Sequence, residues 1–272
     1  MFPPLWPGFA RMSSGNIRQA TAFPILLVKE TQVTALRIGC SGWAYRDWVG
    51  PFYPKGTRSK DLLAFYAGQF DTTEINASFY RLPSAKAVAN WAQTAPEAFC
   101  FAWKVSRYIT HNKKLRDCAD SVELVYGRMR GLGDKQGPAL IQLPPSLRRD
   151  DARLSEFLKL LPRGRHTVEF RHPSWYEKPV FDLLAAHDIS LCVSDHHHAP
   201  APWEKTASFV YVRGHGPGGR YRDRYPEAEL KSWARRIERW RAAGLEVYAY
   251  FDNDIKSAAP ADAALLKQFT GS

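Results

Sequence analysis

The chain has 272 residues, 45% of them hydrophobic and 24% charged, and its 38 Lys and Arg against 27 Asp and Glu leave a formal charge of +11. That length holds one large domain or two small ones, while the composition excludes chain-wide disorder and collagen-like repeats. No run approaches the roughly 18 apolar residues of a membrane-spanning helix, and the cationic excess favours phosphate-bearing partners without bearing on fold.

Residues 1–35 read as an irregular or flexible extension, with Pro3, Pro4, Pro7, Ser13, Ser14 and Gly15 and no sustained period. The apolar run Ile25–Val28 is too short for a secretory h-region and follows a proline. Met12 is a candidate alternative start, and a cytoplasmic location is the expectation. Cys40, Cys100, Cys118 and Cys192 form no C-x-x-C pair and read as reduced thiols, mostly inside apolar runs.

From Leu36 to residue 272 the chain alternates short β-branched or aromatic runs with longer helical patterns, the signature of βα units. The expected strands are Leu36–Cys40, Thr72–Ile75, Phe99–Val105, Ala139–Leu143, Thr167–Phe170, Ile189–Val193, Phe209–Val212 and Val247–Phe251. Helical patterns cover Lys60–Phe70, Ala85–Thr94, Leu115–Arg130, Asp151–Leu161, Pro179–His187, Glu227–Ala243 and Asp262–Phe269. Only Ala199–Thr206 is too short and proline-rich for a good helix. Asp151 is placed to cap the helix after the fourth strand, and Gly244 to close the one after the seventh. Eight such units predict an α/β fold, a (β/α)8 TIM barrel in one domain, whose usual size is about 250 residues. An open doubly wound sheet would use fewer strands.

Active sites of such barrels lie at the C-terminal ends of the strands. The residues there are Ser41, Gly42 and Trp43; Glu74, Asn76 and Tyr80; Lys104, Arg107 and His111; and Gln142. The later strands add Glu169, Arg171 and Trp175; Asp195 with His196–His198; Arg213 and His215; and Asp252, Asn253 and Asp254. Packing alone does not call for so polar a rim.

These motifs resemble a known family. Ile38-Gly-Cys-Ser-Gly-Trp43 with Tyr45, Trp48 and Phe52-Tyr-Pro54 is similar to the opening of the domain-of-unknown-function-72, or YecE-like, family. Glu74-Ile-Asn76 with Phe79-Tyr80, Lys104 with Thr110-His111, and Gln142-Leu-Pro-Pro145 continue it. So do Glu169-Phe-Arg-His172 with Trp175, Asp195, Arg213-Gly-His-Gly216 and Tyr250-Phe-Asp-Asn-Asp254. The resemblance spans Arg37 to about Phe269 and implies a TIM barrel distantly similar to sugar-isomerase and apurinic-endonuclease barrels, with no activity attached. Gly214 departs from the apolar residue common in the family, and the three histidines after Asp195 are not called for by it.

The candidate catalytic groups are Glu74 and Glu169 as acid/base carboxylates, His111 and His215 as proton shuttles, and Asp195. A buried ion-pair network is the competing reading of both glutamates, because an inward carboxylate is costly unless paired. Lys104, Arg171 and Arg213 are expected to balance substrate charge, with Asn76, Gln142 and Asn253 as hydrogen-bonding groups and Trp43, Tyr80 and Trp175 shaping or stacking the substrate. The glycine-rich Arg213–Arg220 segment, following strand seven, reads as an anion nest flanked by arginines. No P-loop, dinucleotide fingerprint or nucleophile elbow is present.

The leading reading is therefore an enzyme, phosphoester hydrolase-like, acting on a phosphate-bearing ligand or nucleic acid at the barrel mouth. It requires no cofactor; a divalent metal held by Glu74, His111, Glu169, Asp195 and His215, with Asp252 as an optional further ligand, is the alternative. The rivals are a non-catalytic nucleic-acid binder and a metal-dependent sugar isomerase or epimerase. No membrane partner is expected, and the oligomeric state is left open.

Overall fold

A strand followed by a crossover helix and a second parallel strand closes in one hand, so repeated βα units stack their strands in sequence order. The computed structural model describes residues 34–272, and the expected extension with Met12 lies almost wholly outside the described residues. The strands are β1 (Leu36–Cys40), β2 (Thr72–Ile75), β3 (Cys100–Lys104), β4 (Gln136–Gln142), β5 (His166–Glu169), β6 (Ser190–Ser194), β7 (Phe209–Gly214) and β8 (Glu246–Phe251). They form a closed parallel barrel in that order, sealed where Leu36–Cys40 pairs in register with Val247–Phe251. This is the (β/α)8 barrel that the pattern predicts.

The helices are α1 (Leu62–Ala67), α2 (Ala77–Tyr80), α3 (Ala85–Thr94), α4 (Ala119–Met129), α5 (Asp151–Leu158), α6 (Lys178–Ala186), α7 (Glu227–Ala242) and α8 (Ala258–Thr270). Each of the longer ones lays an apolar stripe on the barrel; on α7 Leu230, Trp233, Ala234 and Ile237 are buried, leaving its arginines mostly to solvent. Ala199–Thr206 forms no helix. Trp203 covers that side instead, with its ring centroid 5.6 Å from those of Trp233 and Trp240, and the Arg236 guanidinium lies 4.6 Å from its ring.

Two boundaries differ from expectation for identifiable reasons. The cap of α5 is Asp150, whose extended backbone lets its carboxylate accept from Arg153 N at 3.0 Å, while Asp151 pairs with Arg149. Helix α8 starts at Ala258 rather than Asp262, because Asp262 is buried within it and accepts from Tyr225 N and Asn253 Nδ2. All four cysteines are free, three of them buried, and no helix among the described residues is long and apolar enough to cross a membrane.

Candidate active site

Side chains alternate across a strand, so every second residue of a barrel strand points inward. The inner wall carries Leu140, Cys192, Tyr211 and Tyr250 at mid-depth. Two residues further along each of these strands come Gln142, Ser194, Arg213 and Asp252, all buried. With Ser41, Glu74, Lys104 and Glu169 they complete a ring of eight polar side chains, one from the end of each strand.

Arg213 is the hub of this ring and is fully buried. Its Nη2 donates to Glu74 Oε1 at 2.8 Å, Asp252 Oδ2 at 2.7 Å and Ser41 Oγ at 3.2 Å; its Nε reaches Glu74 Oε2 at 3.1 Å and its Nη1 reaches Glu169 Oε2 at 3.0 Å. Ser41 and Tyr211 hydroxyls also donate to Glu74, at 2.7 and 2.6 Å. Glu169 further accepts from Gln142 Nε2 at 2.8 Å, Arg171 Nε at 2.6 Å and Ser194 Oγ at 3.2 Å. Burial alone would raise the Glu169 carboxyl, but Arg171 and Arg213 overcome it and hold it well below the usual range. Both glutamates are thus saturated acceptors, and Arg213 supplies the positive charge at the point where they converge.

His215 is equally committed. Its Nδ1 lies 3.0 Å from Asp195 Oδ1, and its Nε2 faces Arg213 Nη1 at 3.0 Å and Arg171 Nη2 at 3.2 Å. Burial first, then Arg213, pushes the imidazole well below its usual value. A neutral ring donating to Asp195 and accepting from two guanidiniums satisfies every contact. Burial raises Asp195 to about 6 against the hydrogen bonds from Tyr225 and His215. His215 therefore has no free lone pair with which to shuttle protons.

The anion nest expected at Arg213–Arg220 is not formed as such. The Arg213 guanidinium is consumed inside the barrel, Gly216 N donates to Tyr225 OH at 2.8 Å, and Gly219 N bonds Gly216 O at 2.7 Å. The glycines serve a different end. At Gly219 (φ 68°) a Cβ would overlap the Asp195 carbonyl, and at Gly216 (φ 84°) it would overlap that of Arg222. The tight fold brings Tyr221 over His215, ring centroids 4.9 Å apart, and Arg171 Nη1 donates to its hydroxyl at 2.8 Å.

Above the ring lies a cavity of about 490 Å³ lined by Tyr45, Asn76, Phe79, Tyr80, Lys104, Arg107, His111, Gln142, Tyr221, Asp252 and Asp254. Several of its polar atoms are unmatched where those of the ring's hub are paired. Lys104 is 7% exposed, and its Nζ has no hydrogen-bond or ion-pair partner among the described residues, lying 4.1 Å from the Phe79 ring centroid. Asn76 Oδ1 and Asp254 Oδ1 are buried without partners. Burial and the nearby Arg213 lower Lys104 to about 8, and burial together with Asp252 raises Asp254 to about 8. Burial with Lys104 and Arg107 lowers His111 to about 4, so its ring is neutral near pH 7.

Of the sequence-predicted residues, the structure brings Asn76, Tyr80, Lys104, His111 and Gln142 to the cavity, and places Glu74, Glu169, Arg171, Asp195, Arg213 and His215 in the network around and beneath it. Three candidates lie elsewhere. Trp43 packs between barrel and helix against Trp91 and Phe101, at 5.6 and 6.3 Å. Trp175 is fully buried, stacked 4.8 Å from Phe170 with its indole donating to Leu147 O. Asn253 is turned away, its Nδ2 donating to Asp223 O and Asp262 Oδ2. Apolar bulk and neighbouring carbonyls drew all three away from the mouth. Tyr45, Tyr221 and Asp254 line the cavity although the sequence ranks them below the others; the sign for Asp254 is its i+2 spacing from Asp252. Among the described residues no three His, Cys, Asp or Glu side chains are grouped to hold a metal ion.

A closed eight-stranded parallel barrel with its polar ring and cavity at the C-terminal strand ends defines a protein of the TIM-barrel class. The chain belongs to the family described as Protein of unknown function DUF72, whose model matches residues 37–272. UPF0759 protein YecE of Escherichia coli (strain K12) is 33% identical over 143 residues, 52% of this chain and 50% of that protein, so the match spans half of YecE. UPF0759 protein YunF of Bacillus subtilis (strain 168) is 25% identical over 255 residues, covering 80% of this chain and 88% of YunF. The crystal structure of a DUF72 family protein from Thermotoga maritima superposes with a TM-score of 0.80 at 25% identity, covering 88% of this chain and all of that one.

Proposed function

We propose that the protein is an enzyme whose active site is the mouth cavity and whose substrate is a small phosphate-bearing molecule. The observation that carries this reading is a set of polar atoms at the cavity without hydrogen-bond partners: the buried Asn76 Oδ1 and Asp254 Oδ1, and Lys104 Nζ, which meets only the Phe79 ring. Buried polar groups are almost always hydrogen-bonded, and clustered exceptions mark a place where a ligand completes the bonding. Lys104 and the exposed Arg107 supply positive potential, while Asp254 and His111 offer a protonated carboxyl and a neutral imidazole for proton transfer. A volume near 490 Å³ suits a small molecule or one nucleotide-sized group, not a duplex.

Metal-assisted isomerisation fits the donor set poorly. The oxygens of Glu74 and Glu169 that a cation would use are already bonded to Arg213, Arg171 and hydroxyl donors. Titration calorimetry with inorganic phosphate and a panel of phosphorylated three- to six-carbon sugars tests the proposal. Expected is binding that weakens with salt, falls at least tenfold in Lys104→Met and Arg107→Ser, and is absent for the unphosphorylated sugars. Binding that is indifferent to both substitutions, or no binding at all, overturns it.

A further inference from the structure

We infer that Lys104 acts as an amine nucleophile, forming an imine with the carbonyl carbon of a small aldehyde or ketone held in the mouth cavity. This rests on the enzyme reading above and narrows its substrate class to carbonyl-bearing phosphate esters.

The geometry separates Lys104 from every other charge at this end of the barrel. Glu74, Glu169 and Asp252 all contact Arg213 within 3.1 Å, and none comes within 4.0 Å of Lys104 Nζ. A lysine present for charge balance would sit against one of those carboxylates; this one reaches past them into the cavity, over the Phe79 ring. Arg107 stands exposed beside it and supplies a second cation to hold an anion.

The groups facing Lys104 act in both directions. Burial and Arg213 from β7 disfavour the ammonium, and Glu169 from β5, Asp252 following β8 and Glu74 from β2 favour it. The balance, near 8, leaves roughly a quarter of the molecules with a neutral amine at pH 7.5, on the order of a hundredfold more than for a free lysine. Neutral amine is the attacking species, as in other lysines activated by desolvation and a cationic neighbour.

The step balances within the cavity. The Nζ lone pair attacks the carbonyl carbon, a C–N bond forms, and the carbonyl π pair moves to oxygen, which takes the Asp254 proton. His111 relays a nitrogen proton to the departing hydroxyl, water leaves, and the carbon is joined to Lys104 as an imine. The proton the amine first loses goes to water, water later returns one to Asp254, and the nitrogen keeps its remaining proton as the protonated imine. No oxidant, reductant or further reactant is consumed.

Borohydride trapping tests this. The whole protein is incubated with glyceraldehyde 3-phosphate or dihydroxyacetone phosphate, treated with sodium cyanoborohydride, and read by intact mass and peptide mapping. The expected product is one adduct of the probe's mass less one oxygen, on Lys104. It should form fastest near pH 8, be slowed by millimolar inorganic phosphate, slow at least tenfold in Asp254→Asn, and be missing from folded Lys104→Met and Lys104→Gln. Phosphate binding without an adduct on Lys104 overturns the imine while the enzyme reading stands. Labelling spread over exposed lysines also overturns it. Neither binding nor adduct removes both.

Discussion

Two polar regions lie one above the other at the C-terminal end of this barrel, built from the same kinds of residue and both holding buried polar atoms. In the lower one, Glu74, Glu169 and Asp252 converge on Arg213, and every carboxylate oxygen of the two glutamates is bonded at 2.6–3.2 Å. In the upper one, Asn76 and Asp254 each present a buried oxygen that no protein group answers, and Lys104 Nζ meets only the Phe79 ring. Charge and burial alone do not distinguish these regions. Saturation does: a satisfied network fixes the barrel's geometry, whereas an unsatisfied one carries an energetic penalty that a ligand can relieve.

The contrast is open to direct attack. Arg213→Met leaves three buried carboxylates without their shared cation, and the expected loss is about 5 kcal/mol or more, read as a collapse of the urea midpoint or as failure to fold. Glu169→Gln keeps the shape but removes the charge facing Arg171 and Arg213, for an expected loss of about 3 kcal/mol in urea unfolding. Little change in either would mean the lower network is not the structural element described.

Lys104→Met should go the other way. Its ammonium is harder to keep charged in the folded protein, so between pH 8 and 10.5 the unfolded chain holds the extra proton and stability rises with pH. Below that window the wild type carries a penalty of about 3 kcal/mol, which the substitution should relieve at pH 7 while flattening the alkaline rise. A destabilised variant would place Lys104 among the structural charges. Tyr225→Phe is the mildest test. It removes a donor to Asp195 and should cost about 1 kcal/mol, with ligand binding in the cavity unchanged.

Much of this arrangement was legible from the residue that follows each apolar run. That rule reached seven of the eight polar side chains in the ring and misplaced one by a single position, choosing the charged Asp195 over Ser194, which ends β6 one residue beyond the expected Val193. It could not say which charges cancel. Glu74 and Arg213 are 139 residues apart, and their pairing depends on barrel closure and on the stagger of eight strands. For the same reason Lys104 looked like one more cation among several. Aromatic residues misled in another way: Trp43 and Trp175 sit at loop positions like that of Tyr80, yet apolar neighbours claim them and solvent claims Tyr80, which is 70% exposed.

The interlocked turns after β6 and β7 carry a consequence for the cavity. Gly219 is pressed against the backbone of Asp195 and His197, its carbonyl 2.9 Å from His197 Nδ1, and Tyr221, two residues on, lines the cavity with its ring 5.5 Å from that of His196. One wall of the pocket thus leans on the His196–His198 turn, a stretch of chain that is not itself part of the pocket's lining.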